Sequence, residues 1–346
     1  MTIHYLSRAF DNPKEWPHAK NLKKQLGEIK FFTKKINFSY RSNLRLFIVL
    51  YPLLIFHFSR LSYQSIMESH RTTVVLDNDA AVFVYRLIEK FFRKEPTKLI
   101  MLGFIYSENK WRKSRFLFSL RHYYFTKCVG LCNNIIVYTN AEAKLYSSLF
   151  NTNGEKFLPV LYGIGTSRES ENYAKQPRKK YIISAGRSGR DYRTLLSVAS
   201  SVPYNFKIIC DSFPEGLLSM TPQNVEVLRS SHGLDFIDKL ISAELVVLPL
   251  VPDNVSVGQM VLLQSLAYRK PVIVTKCNGL SEYIAYAGSV KEVPPESEKE
   301  MRELIIQLMS DYELRRDIGE RNRMAYEDYF TNEHFSKRIA SIIKRC

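Results

Sequence analysis

The chain has 346 residues, too many for one ordinary core and a good fit to two domains of roughly 150 residues each. At 45% hydrophobic and 24% charged it is globular rather than disordered or fibrous, and its first apolar residues, broken by Arg8 and Asp11, do not make a secretory signal. The net charge is +16, of which residues 1–150, with 24 basic and 10 acidic side chains, carry +14 and the remainder +2, so an anionic partner is expected for the first half: a membrane surface, nucleic acid or an acidic substrate.

IHYLSR at 3–8 reads as a first strand. Residues 17–41 are basic, with Lys20, Lys23, Lys24, Lys30, Lys34, Lys35 and Arg41 interleaved with Phe31, Phe32, Phe38 and Tyr40. LFIVLYPLLIFHF at 46–58 runs thirteen residues without a charge. A membrane span needs about 20, and Pro52 lies inside, so a buried or interfacial helix is expected. TTVVLDND at 72–79 is a strand entering a loop, followed by a helix from about Ala81 to Lys94 and a strand over 97–106. Residues 110–131 form a basic, aromatic helix; strand 133–140, a further helix, and a strand with its exit loop at 155–165 complete the first half. Residues 166–180 are polar, lack apolar periodicity and read as a linker.

The pattern then restarts. YIISAG, FKIIC, VEVL, ELVVLPL and PVIVTK are strands; YRTLLSVASSV, LDFIDKLISA and GQMVLLQSLAYR are helices, and three more fill 298–310, 311–327 and 332–345. Strands alternating with helices in both halves predict two parallel-sheet, doubly wound domains, 1–165 and 166–330, with the helix at 331–346 free to pack back on the first. Ligands in such folds bind beyond the carboxyl ends of the strands, here in the cleft expected between the domains. The five cysteines (Cys128, Cys132, Cys210, Cys277 and Cys346) are sparse. Cys128-x3-Cys132 has no second ligand pair nearby, so buried thiols in a reducing cytoplasm are expected and no metal site.

SAGRSGRDYRTL, from Ser184, stands at a strand's carboxyl end. Gly186 and Gly189 permit tight turns and close approach of a ligand, the next helix offers free N–H groups, and Arg187 and Arg190 supply guanidinium forks for phosphate oxygens. A second strand-to-helix turn of this kind follows Pro249: the polar loop DNVSVG leads into a helix from Gln259. Gln264 is polar within an apolar face and free to hydrogen-bond a ligand. Each feature also has an ordinary structural reading, as a solvated turn or a core helix.

Together YGIG at 162–165, SAGRSGRDYRTL, ELVVLPL, VSVGQMVLLQSLAYRKPVIVT, NGLSEYI at 278–284 and the tail LMSDYELRRDIGERNRMAYEDYF resemble, in order, the retaining glycosyltransferases of family four. The resemblance covers roughly residues 155–340. It implies the GT-B fold of two facing Rossmann-like domains and transfer of a sugar, hexosyltransferase style, from a nucleotide-sugar donor such as a UDP- or GDP-sugar, without cofactor or metal. It also implies donor contacts from Gly186 and Arg187, with Arg190 in place of the family's lysine, and from Gly258, Gln259, Met260 and Glu282. The family's pair of glutamates falls on neutral Ser256 and Gln264, which excludes any role there that needs a carboxylate. Asp211, Ser212, His232 and Gly233 fall where such enzymes hold the base.

The first half departs further from that pattern. Its loop after the first strand, RAFDNP, lacks glycine, and the region LGFIYSENKW lacks the family's histidine. Asp77, Ser107 and Glu108 are the catalytic candidates left, with Tyr106 and Asp79 beside them; His122 is expected to be structural. The basic aromatic stretches at 20–60 and 110–127, which include Trp111, suit an anionic membrane surface. The expected protein is thus a peripheral enzyme of the inner membrane face, glycosylating a lipid-linked or surface-polysaccharide acceptor of the lipopolysaccharide or capsule kind. A sugar-nucleotide epimerase, an inactive partner subunit and a basic nucleic-acid-binding protein are the alternatives. No nucleic-acid recognition motif is present, so a nucleic-acid partner is not expected.

Overall fold

The computed structural model describes residues 2–7, 12, 16–35, 44–68, 72–106, 114–166, 181–253 and 255–345, with residues 44–51 as helix backbone only. It contains two compact units, Met1–Val160 with Asn332–Cys346, and Leu161–Thr331. Ser107, Glu108, Trp111, most of the RAFDNP loop and all but the first residue of the polar segment 166–180 lie outside the described residues.

The first unit is a parallel sheet of β1 (Thr2–Ser7), β2 (Ile29–Thr33), β3 (Thr72–Leu76), β4 (Lys98–Leu102), β5 (Asn134–Val137) and β6 (Phe157–Pro159), in the order β2-β1-β3-β4-β5-β6. Central strands such as TTVVL are buried along their whole length, as expected for a sheet covered on both faces. β2 was not evident from the sequence. IKFFT is an edge strand carrying a lysine and only one fully buried residue, so it reads as part of a basic segment. Helix α1 (Ala19–Leu26) joins β1 to β2 and packs on α13 (Asn332–Arg345); between them the His18 and Phe335 rings lie 4.7 Å apart.

Helix α2 (Leu44–Glu68) absorbs the uncharged run and continues through Pro52. Leu54, Phe58, Leu61, Ser62, Ser65 and Ile66 face inward, and the buried His4 Nδ1 of β1 meets Ser65 Oγ at 2.7 Å. On the opposite side Leu53, Ile55, Phe56, Tyr63 and Met67 are exposed, so the described part of the run is only half core. α3 (Asp79–Phe92) lies beside α2, and α4 (Arg115–Leu131) beside α3. His122 is structural, its ring stacked 5.5 Å from Phe150 at an interplanar angle of 9°. Cys128 and Cys132 are buried free thiols.

The second unit repeats the plan with β7 (Tyr181–Ala185), β8 (Asn205–Ile209), β9 (Val225–Leu228), β10 (Leu245–Leu248), β11 (Val272–Thr275) and β12 (Lys291–Val293), ordered β12-β11-β10-β7-β8-β9 and all parallel. Successive residues point to opposite faces. Ile183, Val246, Val272 and Val274 join one core with α8 (Gly233–Ser242), α9 (Gln259–Ala267) and α10 (Ser281–Ala287). Ile182, Val247 and Ile273 join the other with α6 (Tyr192–Ser200) and α11 (Glu298–Ser310). α12 (Tyr312–Tyr329) is locked by a buried pair: Arg315 Nε and Nη2 donate to Glu244 Oε2 at 3.1 and 2.9 Å. The unit's first and last segments run side by side. Ile164 pairs in parallel with Thr331, Ile164 N donates to Phe330 O at 2.8 Å, and Tyr326 Oη donates to Ile164 O at 2.9 Å.

Candidate functional site

Each sheet reverses its direction of growth once: between β1 and β3 in the first unit, and between β7 and β10 in the second. Such switch points leave a crevice at the strands' carboxyl ends. The arginine loop follows β7 and the loop 249–258 follows β10, so the two flank the second unit's switch point.

The loops are tied through their backbones. Asp191 N donates to Pro249 O at 2.9 Å, Val251 N to Gly189 O at 3.0 Å, and Arg190 and Leu250 form an antiparallel bridge. Leu250 N is held by Thr275 Oγ1 at 3.0 Å. From the other side, Gly279 N donates to Asp253 O at 3.0 Å. A Cβ at Gly279 would stand 2.1 Å from Val255 O, so only glycine lets these two backbones approach. Gly186 and Gly189 have φ of 115° and 60°, the left-handed region that the turn requires.

Arg190 curls back over its own loop. Nε donates to Ala185 O and Nη1 to Ser188 O, each at 2.8 Å. A Cβ at Gly186 would lie 2.3 Å from Arg190 Nη2, and one at Gly258 would lie 3.5 Å from Nη1. The guanidinium is therefore wedged between the two glycines, with Nη2 making no hydrogen bond to a described residue. Burial lowers its pKa from the usual arginine value. The sequence reading gave Arg190 the same task as Arg187, but the structure separates them. Arg190 shapes the turn with two of its nitrogens, and its Nη2 bonds no described residue. Arg187 is exposed and makes no bond to a described residue. Tyr192 supports the turn from below, its hydroxyl donating to Gly186 O, and burial pushes its phenol pKa up. Asp191 caps α6 by accepting from Thr194 N at 3.1 Å.

Helix α9 begins at Gly258, which is left-handed at φ 91° and carries no side chain to cap the first turn. Its leading N–H groups and the positive end of its dipole face the same place as the Arg190 wedge. Gln259 is nearly buried, its Oε1 accepting from Tyr283 Oη at 3.3 Å; the same Tyr283 oxygen accepts from Tyr162 N at 2.9 Å. The YGIG segment and NGLSEYI thus meet through one buried phenol. Ser256 is buried, Met260 exposed and Gln264 half-buried. Glu282 is half-buried in the first turn of α10, the remaining acidic candidate of this group. Beyond β8, Asp211 and His232 approach at 3.4 Å, Oδ1 to Nε2, on the surface.

At the first unit's switch point Ser7 Oγ donates to Asp77 Oδ2, joining the ends of β1 and β3. Asp77 is thus placed, while Ser107 and Glu108 lie outside the described residues. Tyr106 is buried, with the Arg121 guanidinium 4.1 Å from its ring centre. No group of three or more His, Cys, Asp or Glu among the described residues is placed to hold a metal ion. Gly279, Tyr283, Thr275 and Tyr192 escaped the sequence reading as supports of the site. The glycine of NGL is the one signal that pointed to such a contact.

Two six-stranded parallel sheets of this order define the GT-B fold. The chain is similar to sucrose-phosphate synthase from Thermosynechococcus elongatus, with TM-score 0.72, 14% identity, and coverage of 100% of this chain and 98% of that one. WaaG, a glycosyltransferase involved in lipopolysaccharide biosynthesis, superimposes with TM-score 0.64, 14% identity and 99% coverage of both chains. HepE of Anabaena, in complex with UDP-glucose, gives TM-score 0.68 and 12% identity over 100% of both chains. No curated protein matches the chain in sequence. Residues 224–325 match the family model described as Glycosyl transferases group 1. That match lies within the second unit, spans the α9 and α10 turns and stops short of the arginine loop.

Proposed function

We propose that the protein is a metal-independent, retaining glycosyltransferase that moves a hexosyl group from a nucleoside-diphosphate sugar to a glycan or glycolipid acceptor. The observation that carries this reading is the Arg190 wedge. It sits between Gly186 and Gly258 and makes one anion site of two strand-to-helix turns. Arg190 Nη2, the exposed Arg187 and the uncapped start of α9 supply the positive charge that a diphosphate needs. Glu282, Gln264 and Ser256 would hydrogen-bond the sugar or ribose hydroxyls, and Asp211 with His232 would border the base.

In this chemistry the acceptor hydroxyl attacks the anomeric carbon as the bond to the diphosphate breaks. The departing phosphate oxygen takes the acceptor's proton, and the arginines stabilise the charge left on the leaving group. The neutral Ser256 and Gln264 are compatible with that sequence, since no protein carboxylate is required at either position. HepE, known with UDP and with UDP-glucose, makes the UDP-sugars the first donors to try.

Thermal melting of the protein with UDP, GDP, ADP, CMP and their sugars, without added metal, tests the reading. A selective stabilisation by one nucleoside diphosphate is expected. A folded protein that none of them stabilises would refute it.

A further inference from the structure

The first unit carries a feature that sugar transfer does not require. On the outward side of α2, Leu53, Phe56, Arg60, Tyr63 and Met67 fall three, seven, ten and fourteen positions after the first, a single stripe of a 3.6-residue helix. All five are exposed, Phe56 at 74%. Beside them on α3, Leu87, Phe91 at 78% and Phe92 are exposed too. The two sets adjoin: the Tyr63 and Phe92 rings are 5.5 Å apart, and Arg93 Nη2 donates to Ile66 O at 3.1 Å. Soluble monomers usually scatter such residues singly, as the second unit does with Met260, Ile306 and Met324. Here they form a band, and Arg60, Lys90 and Lys94 stand exposed in it without an ion pair to any described residue.

We propose that this α2–α3 face docks the protein on an anionic lipid surface. Charge decides between the candidate occupants. A second copy meeting the same face about a two-fold axis would set Arg60, Lys90 and Lys94 against their own kind, in the half of the chain that carries +14. Anionic headgroups oppose those cations with the opposite sign, while Phe56, Phe91 and Leu87 enter the headgroup boundary. No helix among the described residues is long and apolar enough to cross a membrane, so contact through this face is interfacial. The sequence placed docking stretches at 20–60 and 110–127; the band takes in the end of the first, at Leu53, Phe56 and Arg60, and extends it along α2 and onto α3. This inference adds to the transferase reading and does not rest on it, because vesicle binding is read with neither donor nor acceptor present.

The full chain would be floated with vesicles of phosphatidylcholine alone and of phosphatidylcholine with phosphatidylglycerol. Binding is expected only to the anionic vesicles. The double substitutions Phe56→Ser with Phe91→Ser, and Lys90→Glu with Lys94→Glu, are each expected to lower the bound fraction about tenfold. Their melting temperatures and any nucleotide-induced shift should be unchanged, and Met324→Ser in the second unit should bind as the parent does. Three results would overturn the proposal: no flotation of the parent, flotation of either double variant at the parent level, or a dimer in sedimentation velocity that the phenylalanine variant abolishes with no vesicle binding.

Discussion

In the first unit, among the described residues, a side-chain bond from Ser7 to Asp77 joins the ends of β1 and β3 across the switch point. In the second unit the corresponding loops are sewn backbone to backbone, by Asp191 to Pro249, Val251 to Gly189 and Gly279 to Asp253. The surfaces differ as well. The first unit is strongly basic and shows a band of apolar side chains on α2 and α3; the second is nearly neutral and, apart from the paired rings of Tyr286 and Tyr329, shows them scattered. On the proposed reading, one topology would serve two kinds of recognition. A backbone-tied loop is formed before the ligand arrives and suits a group that never changes, such as a diphosphate. Strand ends joined through side chains can differ with a ligand at little cost to the fold, as the proposed acceptor side would require.

Substitutions in either unit put that contrast to the test. The largest effect is expected from Arg315→Ala, which leaves Glu244 charged and buried; the loss should be about 3–5 kcal/mol, read by urea unfolding. Replacing both partners by apolar residues should recover most of it. Arg187→Ala should weaken nucleoside-diphosphate binding by about 1.5–3 kcal/mol, roughly ten- to hundredfold in Kd by calorimetry, with an unchanged melting temperature. Unchanged affinity would remove Arg187 from the site. Gly279→Ala must push the Val255 backbone aside and should cost about 1–3 kcal/mol, together with the nucleotide-induced stabilisation. If that shift survived, the sewn loops would not be what prepares the site.

The smallest effect at neutral pH belongs to the first unit. Burial lowers the pKa of His4 and of His18 from 6.5 to about 4. Both are neutral when folded, and the unfolded chain binds their protons more tightly. Stability contributed this way is complete above about pH 6.5 and falls as the pH drops toward 4. His4→Gln and His18→Gln should flatten the acid limb of a melting-temperature profile while leaving it unchanged at pH 8. An acid limb as steep as the parent's would assign the loss to other groups.

Much of this was legible in the residues. Continuous apolar runs such as YIISA and LVVL announce strands buried on both faces, and their alternation with helices predicts two parallel sheets. Gly186, Arg187 and Gly258 could be placed at strand-to-helix turns from spacing alone. The turn of Arg190 back onto Ala185 and Ser188 could not, because it depends on the left-handed glycines around it. Nor could the approach of Gly279 to Val255, two segments brought together only by the order of β10 and β11. β2 hid within a basic stretch because an edge strand need not be apolar. The band on α2 and α3 was half visible: the uncharged run was plain, but the outward stripe appears only once the helix has a buried side.

The adjacency of residues 161–164 and 330–331 has a consequence for how such a chain can be taken apart. The second unit leaves its neighbour and returns to it through segments bonded to each other, with Ile164 N only 2.8 Å from Phe330 O. To the first unit it is an insertion whose ends already meet, and the entropy of closing such a loop grows slowly with its length. A module bounded in this way can be excised, grafted or circularly joined without stretching either end. Residues 161–331 are therefore a natural fragment on which to test nucleotide binding free of the basic half.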